Sequence, residues 1–118
     1  RRGLAGERAA MRFLESKGWR IEAHRFRLGH HDLDLVIRRG SLVAFVEVKT
    51  RASTTFGAAV EAVGWAKRLV LAKVAAVWMC RFGQPGDEYR FDLVAVEWQR
   101  YGFPHICHIE DGWRIVDK

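Results

Sequence analysis

Two β-forming segments, residues 33–37 (Leu-Asp-Leu-Val-Ile) and 42–48 (Leu-Val-Ala-Phe-Val-Glu-Val), flank the pair Gly40-Ser41, which is of the kind that closes a tight hairpin through a type II′ turn. Such a turn sets Arg39 opposite Leu42 and fixes the pairings that follow: Asp34 opposite Glu47, and Asp32 opposite Lys49. Side chains alternate along a strand, so Asp32 and Asp34 share one face, as do Glu47 and Lys49 on the partner. Opposed Cβ atoms lie about 4.5–5.5 Å apart, where like charges are destabilising. Two facing carboxylates therefore need a compensating cation. A divalent metal ion would supply it, and Lys49 would add a fixed positive charge beside it. The bland alternative is a solvated polar face, which fits poorly with Phe45, Val46 and Val48 on the second strand.

The rest of the chain supplies elements that pack around this hairpin. Residues 4–17 read as a helix, with Ala10, Met11, Phe13 and Leu14 at helical spacing and Gly18 placed as a left-handed stop. Glu7 lies one turn before Ala10 and Met11, at the rim of the apolar face. From there it either reaches inward to the sheet or only complements the helix dipole. Residues 19–27 alternate as a half-buried strand, with Trp19, Ile21 and Ala23 on one side and Arg20, Glu22 and His24 on the other. Arg25, Arg27, His30 and His31 form a basic cluster before the hairpin, either a solvated turn or a set of phosphate contacts.

Residues 52–58 are polar and suit a connector or a place for substrate to lie. The pattern predicts a long helix over 60–81, with Val60, Val63, Val70, Leu71, Val74, Val77 and Trp78 on one stripe. Lys67 falls inside that stripe and is expected to point along the sheet toward the carboxylates rather than snorkel to water. Trp65, Leu69, Ala72, Ala76 and Met79 make a second apolar face, a candidate homodimer surface. A turn at 84–87 precedes a strand over 89–98, in which Asp92 is expected to pair with a buried Arg or Lys rather than ligate metal. A short strand is expected over 104–109, and residues 112–116 could add another edge. His105 and Cys107 would share a face while His108 points away, so no zinc site is expected there.

With 118 residues the chain is read as one domain over 1–118, and 49% hydrophobic with 29% charged residues is a globular balance that argues against disorder. A formal charge of +6 favours an acidic partner, with nucleic acid first. No apolar run reaches bilayer length and no signal-peptide core opens the chain, so a cytoplasmic protein with no membrane contact is expected. Cys80 and Cys107 match no disulfide framework.

The order helix, strand, hairpin, helix, two strands, with Asp34 followed by Glu47-Val48-Lys49, resembles the PD-(D/E)xK nuclease superfamily. More narrowly the chain resembles the YraN-type family of small bacterial proteins, which are similar to archaeal Holliday-junction resolvases. The likeness is carried by Gly6-Glu7, Asp34-Leu35, Phe45-Val46-Glu47-Val48-Lys49-Thr50-Arg51, Lys67 and Arg90-Phe91-Asp92. It implies an α/β restriction-endonuclease-like core: a central mixed sheet of about five strands flanked by two helices, in the order αβββαββ. It implies Asp34 and Glu47 as metal ligands with the Val48 carbonyl, Lys49 as the residue that orients or deprotonates the attacking water, and Glu7 as an accessory carboxylate. The implied cofactor is Mg²⁺ or Mn²⁺. DNA, with branched DNA among the candidates, is the implied substrate, and Arg25, Arg27, His31, Arg51 and Lys67 would contact its backbone. The family usually reads Gly-Glu-Ile-Asp where this chain has His31-Asp32-Leu33-Asp34, which leaves Asp32 an accessory group. The rival reading is a non-catalytic nucleic-acid-binding or scaffold protein that keeps the nuclease fold.

Overall fold

The computed structural model describes residues 2–51 and 64–113, and of Arg2 only the backbone. The expected connector at 52–58, the stripe residues Val60 and Val63, and positions 114–116 lie outside the described residues.

Local sequence accounts for most of the elements. Helix α1 (Arg2–Ser16) ends at Gly18, whose φ of 93° suits glycine, and the Trp19 N–H returns to the Leu14 carbonyl. Strands β1 (Arg20–Leu28), β2 (His31–Arg39) and β3 (Leu42–Arg51) follow as a meander. Gly40 closes the β2–β3 hairpin with φ 64° while Ser41 keeps a negative φ, as a II′ turn requires. Pairing from Arg39↔Leu42 to Leu35↔Val46 follows the expected register. Helix α2 (Trp65–Phe82) then crosses over to β4 (Glu88–Glu97), and β5 (His105–Ile109) finishes the sheet. The strands lie side by side in chain order, and only β3 and β4 are parallel. The architecture is αβββαββ, a five-stranded mixed sheet with two helices, consistent with a restriction-endonuclease-like core.

A helix covers each face. On the α1 side Ala10 and Leu14 pack with Leu35, Ile37, Ala44, Val46, Val94 and Val96. On the α2 side Leu71, Val74, Ala75 and Trp78 pack with Val36, Val43, Phe45 and Leu93. The α2 stripe is therefore as expected at Leu71, Val74 and Trp78, with Ala75 added and Val70 and Val77 half-buried. Of the second face of that helix, Trp65, Leu69 and Ala76 are exposed, whereas Ala72 and Met79 are half-buried. Among the described residues no helix is long and apolar enough to cross a membrane.

Three expectations need correction, and the basic cluster, left open between a turn and phosphate contacts, takes a definite shape. The long helix does not run on from residue 60 through Gly64: that residue is extended (φ −71°, ψ 166°) and α2 starts after it. The even alternation of β1 fails because a bulge between Ile21 and Ala23 moves Ala23 to the α2 side while Ile21 stays on the α1 side. The basic cluster before the hairpin is itself a hairpin, with Leu28 paired to His31 across Gly29-His30 and φ 62° at Gly29. Gly112 and Trp113 add no edge strand; the chain turns back so that the Trp113 ring sits 4.2 Å from Phe91, buried on the α2 side.

Candidate active site

Val43 and Phe45 point to the α2 side of β3, and alternation carries Glu47, Lys49 and Arg51 to the same side. Glu47 is buried, at 4% exposure. Lys67, in the first turn of α2, ion-pairs with Glu47 Oε2, and Lys49 Nζ stands 3.7 Å from the same oxygen. The other oxygen, Glu47 Oε1, is buried with no hydrogen-bond partner among the described residues. Lys67 thus reaches the carboxylates as its place in the apolar stripe predicts.

Asp34 arrives differently from the expected cross-strand pair. The β2–β3 ladder stops at Leu35↔Val46, so Asp34 and Glu47 are not formal partners. Instead the Val48 N–H donates to Asp34 Oδ2 at 2.8 Å, and the carboxylate stands in for a strand partner. In an extended residue N–H and C=O face the same neighbouring strand, so the Val48 carbonyl is also directed to the β2 side. Asp34 and Glu47 both line a cleft of 250 Å³ with His30, His31, Asp32, Lys67, Val70 and Leu71.

Burial, then repulsion from Glu47, pushes the Asp34 carboxyl up to about 7 despite its bond from Val48. Burial and the neighbouring Lys67 ammonium pull Lys49 below the usual lysine range. Burial also works against a charged Lys67, but its bond to Glu47 outweighs that and raises it. The cleft therefore holds a carboxyl that is hard to ionise, Asp34, while Lys49, beside Glu47 but not among the residues lining the cleft, loses its proton more easily than an ordinary lysine.

Asp32 does not face Lys49. It pairs with Arg27 across β1, with Arg27 Nε 3.3 Å from Asp32 Oδ1. His31 is exposed on the cleft rim, and Arg51 is half-buried with a guanidinium N–H donating to the Thr50 carbonyl at 3.1 Å.

Glu7 sits on α1 at 3% exposure and is not among the residues lining the cleft. Arg25 Nε donates to Glu7 Oε1 at 2.7 Å, and His24 Nε2 lies 2.8 Å from that same oxygen. Consecutive strand residues normally point to opposite faces, so both can reach one atom only where alternation fails. Arg25 has φ 60°, a left-handed conformation that L residues adopt at a cost, and it falls between the pairs His24↔Leu35 and Phe26↔Leu33, level with Asp34. Gly6 lets α1 come this close, since a Cβ there would overlap Thr50 Oγ1 on β3. Across the sheet the Glu7 charge still contributes to raising Asp34.

Asp92 belongs to the other face, with Val94 and Val96. It is fully buried, accepts from Arg90 at 2.8 and 3.0 Å and from the Asp111 N–H at 2.9 Å, and lies 2.7 Å from His108 Nε2. Burial alone would raise it, but these partners hold it below the usual carboxylate range. The expected structural pairing with an arginine is what the fold shows, and His108 is committed to the same carboxylate.

Sequence reasoning passed over two groups. His24 reads as an ordinary strand residue, and only the bulge and the turn at Arg25 bring it to Glu7. Glu97 reads as a strand end, yet it is 5% exposed, pairs in register with Arg51, and its Oε2 has no hydrogen-bond partner among the described residues. Its signal was the parallel pairing of β3 with β4, which periodicity alone does not reveal. Among the described residues no three His, Cys, Asp or Glu side chains already form a metal cluster. The donor set on offer is Asp34, Glu47 with its free Oε1, and the Val48 carbonyl.

A family model described as uncharacterised protein family UPF0102 matches residues 6–96, a span that includes Glu7, Asp34, Glu47, Lys49 and Lys67. Similar proteins include a UPF0102 protein of Symbiobacterium thermophilum, 42% identical over 95 residues that cover 80% of each chain. One from Moorella thermoacetica is 42% identical over 96 residues, 81% of this chain and 80% of the relative. One from Chloroherpeton thalassium is 37% identical over 121 aligned positions, 97% of this chain and 94% of the relative.

Proposed function

The chain belongs to the uncharacterised protein family UPF0102, and from that premise we propose that it is a metal-dependent endonuclease hydrolysing DNA phosphodiester bonds, with branched or structured DNA among its substrates. One observation carries the reading: Asp34 and Glu47 share a cleft in which Glu47 Oε1 is buried with no hydrogen-bond partner among the described residues, and burial and the Glu47 charge hold Asp34 near 7. A divalent cation fits that deficit. Asp34, Glu47 and the Val48 carbonyl would hold Mg²⁺ or Mn²⁺, hard ions that favour such oxygen donors. Bound there, the ion supplies Lewis-acid activation of the scissile phosphate and of the attacking water.

The chain's own residues do the remainder. Lys49, 3.7 Å from Glu47, positions the water for in-line attack and stabilises developing charge. Lys67, half-exposed at the cleft, neutralises charge on the phosphate that enters. Arg25, Arg27, His31 and Arg51 hold the flanking backbone, which makes binding steeply salt-dependent and largely indifferent to sequence. Glu7 acts at one remove by holding Arg25, and Asp32 by holding Arg27.

The test is incubation of supercoiled, linear and four-way-junction DNA with Mg²⁺ or Mn²⁺, comparing the wild type with Asp34→Asn and Lys49→Ala. Cleavage by the wild type alone is expected. Equal products from all three proteins, or none from any, would sink the catalytic reading. A second reading rests on the Lys67–Glu47 ion pair, which gives the carboxylates a counter-charge without any metal. On that reading the chain is a non-catalytic nucleic-acid-binding or scaffold protein, and metal-independent binding without cleavage would favour it.

A further inference from the structure

Because β3 and β4 are parallel, their carboxyl ends lie together, and ligands of open α/β sheets gather outside such ends. Glu47 and Lys49 occupy the last part of β3, so the proposed site opens toward this end of the sheet. Among the described residues six large hydrophobic side chains are exposed, and four of them are aromatic rings at this same end. Trp65 starts α2 at 49% exposure, and Trp98, Tyr101 and Phe103 follow β4 at 36%, 82% and 92%. The Trp98 N–H donates to the Arg51 carbonyl at 2.8 Å, which ties the aromatic loop to the strand that carries Glu47 and Lys49. Arg51 lies four positions beyond Glu47 along the strand, roughly 13 Å at about 3.3 Å per extended residue.

The chemistry of the loop selects its partner. Residues 98–103 read Trp-Gln-Arg-Tyr-Gly-Phe, with no aliphatic side chain, and the Arg100 guanidinium lies 5.8 Å over the Tyr101 ring. Glu97 is the only acid in residues 97–105, and it is buried rather than displayed on the surface. On the α1 face of the sheet, Phe103 also walls a recess of 540 Å³ with Phe13, Pro104, Ile106 and Arg12. Flat rings interleaved with guanidinium charge, on a chain of net charge +6, complement stacked bases on an anionic backbone. A duplex keeps its bases inside and offers such rings nothing to stack on, whereas unpaired bases do.

We propose that the loop 98–103, with Trp65 at the same end of the sheet, is a stacking platform for unpaired bases, so that the DNA engaged at the cleft carries a single-stranded segment near the bond to be cut. The placement of that segment rests on the nuclease reading; the platform does not. Trp65 lies within the residues 6–96 that the family model matches, and the loop 98–103 lies just past them.

Fluorescence anisotropy in EDTA tests the platform apart from catalysis. A single-stranded oligonucleotide, a blunt duplex and a duplex with a single-stranded flap are each titrated with the wild type and a Tyr101→Ala/Phe103→Ala double variant. Base stacking on one aromatic ring is worth about 1–3 kcal/mol. The variant should therefore bind the single strand and the flap at least about tenfold more weakly, while its affinity for blunt duplex stays within about twofold. Both side chains are exposed, so the urea midpoint should not move, which confirms that the variant is folded. Equal losses on all three ligands, or no loss on any, overturn the proposal. So does a variant with unchanged single-strand affinity but a lower mass by light scattering, which would make the patch an interface between copies. Selective loss in a protein that cleaves no DNA would uphold the platform and fail the nuclease reading alone.

Discussion

Replacing Asp34 by asparagine should stabilise the metal-free protein, and the gain should depend on pH in a calculable way. The Asp34 carboxyl rises from 3.8 to about 7 on folding, chiefly through burial and then through repulsion from Glu47. A rise of roughly 3 units corresponds to about 4 kcal/mol at ~1.36 kcal/mol per unit, an upper bound because relaxation and water entry reduce it. The sign follows from the raised folded value. Below about pH 3, roughly a unit under its unfolded value, the group is protonated in both states and contributes nothing. As pH rises toward 7 the unfolded chain ionises freely while the folded one resists, so wild-type stability falls, and above pH 7 the full penalty is present. Asp34→Asn removes the charge but keeps an oxygen for the Val48 N–H. In EDTA the variant should match the wild type near pH 3 and exceed it by about 2–4 kcal/mol at pH 8, read from urea unfolding. Excess Mn²⁺ should then recover the wild type and not the variant, by about 2.7 kcal/mol at a hundredfold excess over Kd. A variant no more stable than the wild type at pH 8 would refute the reasoning, since the cleft would then already supply the positive charge that Asp34 needs.

Lys67→Met should lower stability in EDTA by about 1 kcal/mol and tighten Mn²⁺ binding by at least about fivefold in calorimetry, because the ammonium competing for Glu47 is gone. Unchanged Mn²⁺ affinity would mean that the Lys67–Glu47 pair lies apart from the ion. Asp92→Ala leaves Arg90 and His108 without their carboxylate and should cost about 3–5 kcal/mol in urea unfolding, while the folded fraction keeps its DNA affinity. Gly6→Ala should destabilise by about 1–3 kcal/mol through the overlap with Thr50, and Thr50→Ala should recover part of that loss when the two are combined.

The hairpin, both helices and the element order were legible because each follows from a local rule. Gly40-Ser41 dictates the turn, Gly18 stops α1, and a helical stripe buries Leu71, Val74 and Trp78. Lys67 was legible in part: a lysine inside an apolar stripe either snorkels to water or meets a charge, and here it does both, pairing with Glu47 while 44% exposed. What stayed hidden depends on contacts between distant segments. Nothing local says that β1 bulges after Ile21, that the ladder stops at Leu35, or that Glu97 comes level with Arg51 across a parallel pair. The expected opposition of Asp34 to Glu47 therefore gave the right residues through the wrong geometry. Asp32, which the same alternation aimed at Lys49, was taken up by Arg27 on a neighbour the hairpin argument had not placed.

That failure has a physical meaning of its own. An unbroken β2–β3 ladder would pair Asp34 with Glu47 and leave the Val48 N–H bonded to a backbone carbonyl. Instead the sheet gives up regular pairing where the acids gather, and a side chain takes the backbone bond. On the other flank Arg25 adopts a left-handed conformation that costs about 1 kcal/mol, and in doing so brings two consecutive residues onto Glu7. Asp34, between them, is held in a setting that opposes its own ionisation. Each departure alone is an ordinary irregularity. Their concentration within a few residues of one cleft is what a sheet built only for stability would avoid, and a cation between Asp34 and Glu47 would relieve the largest of them.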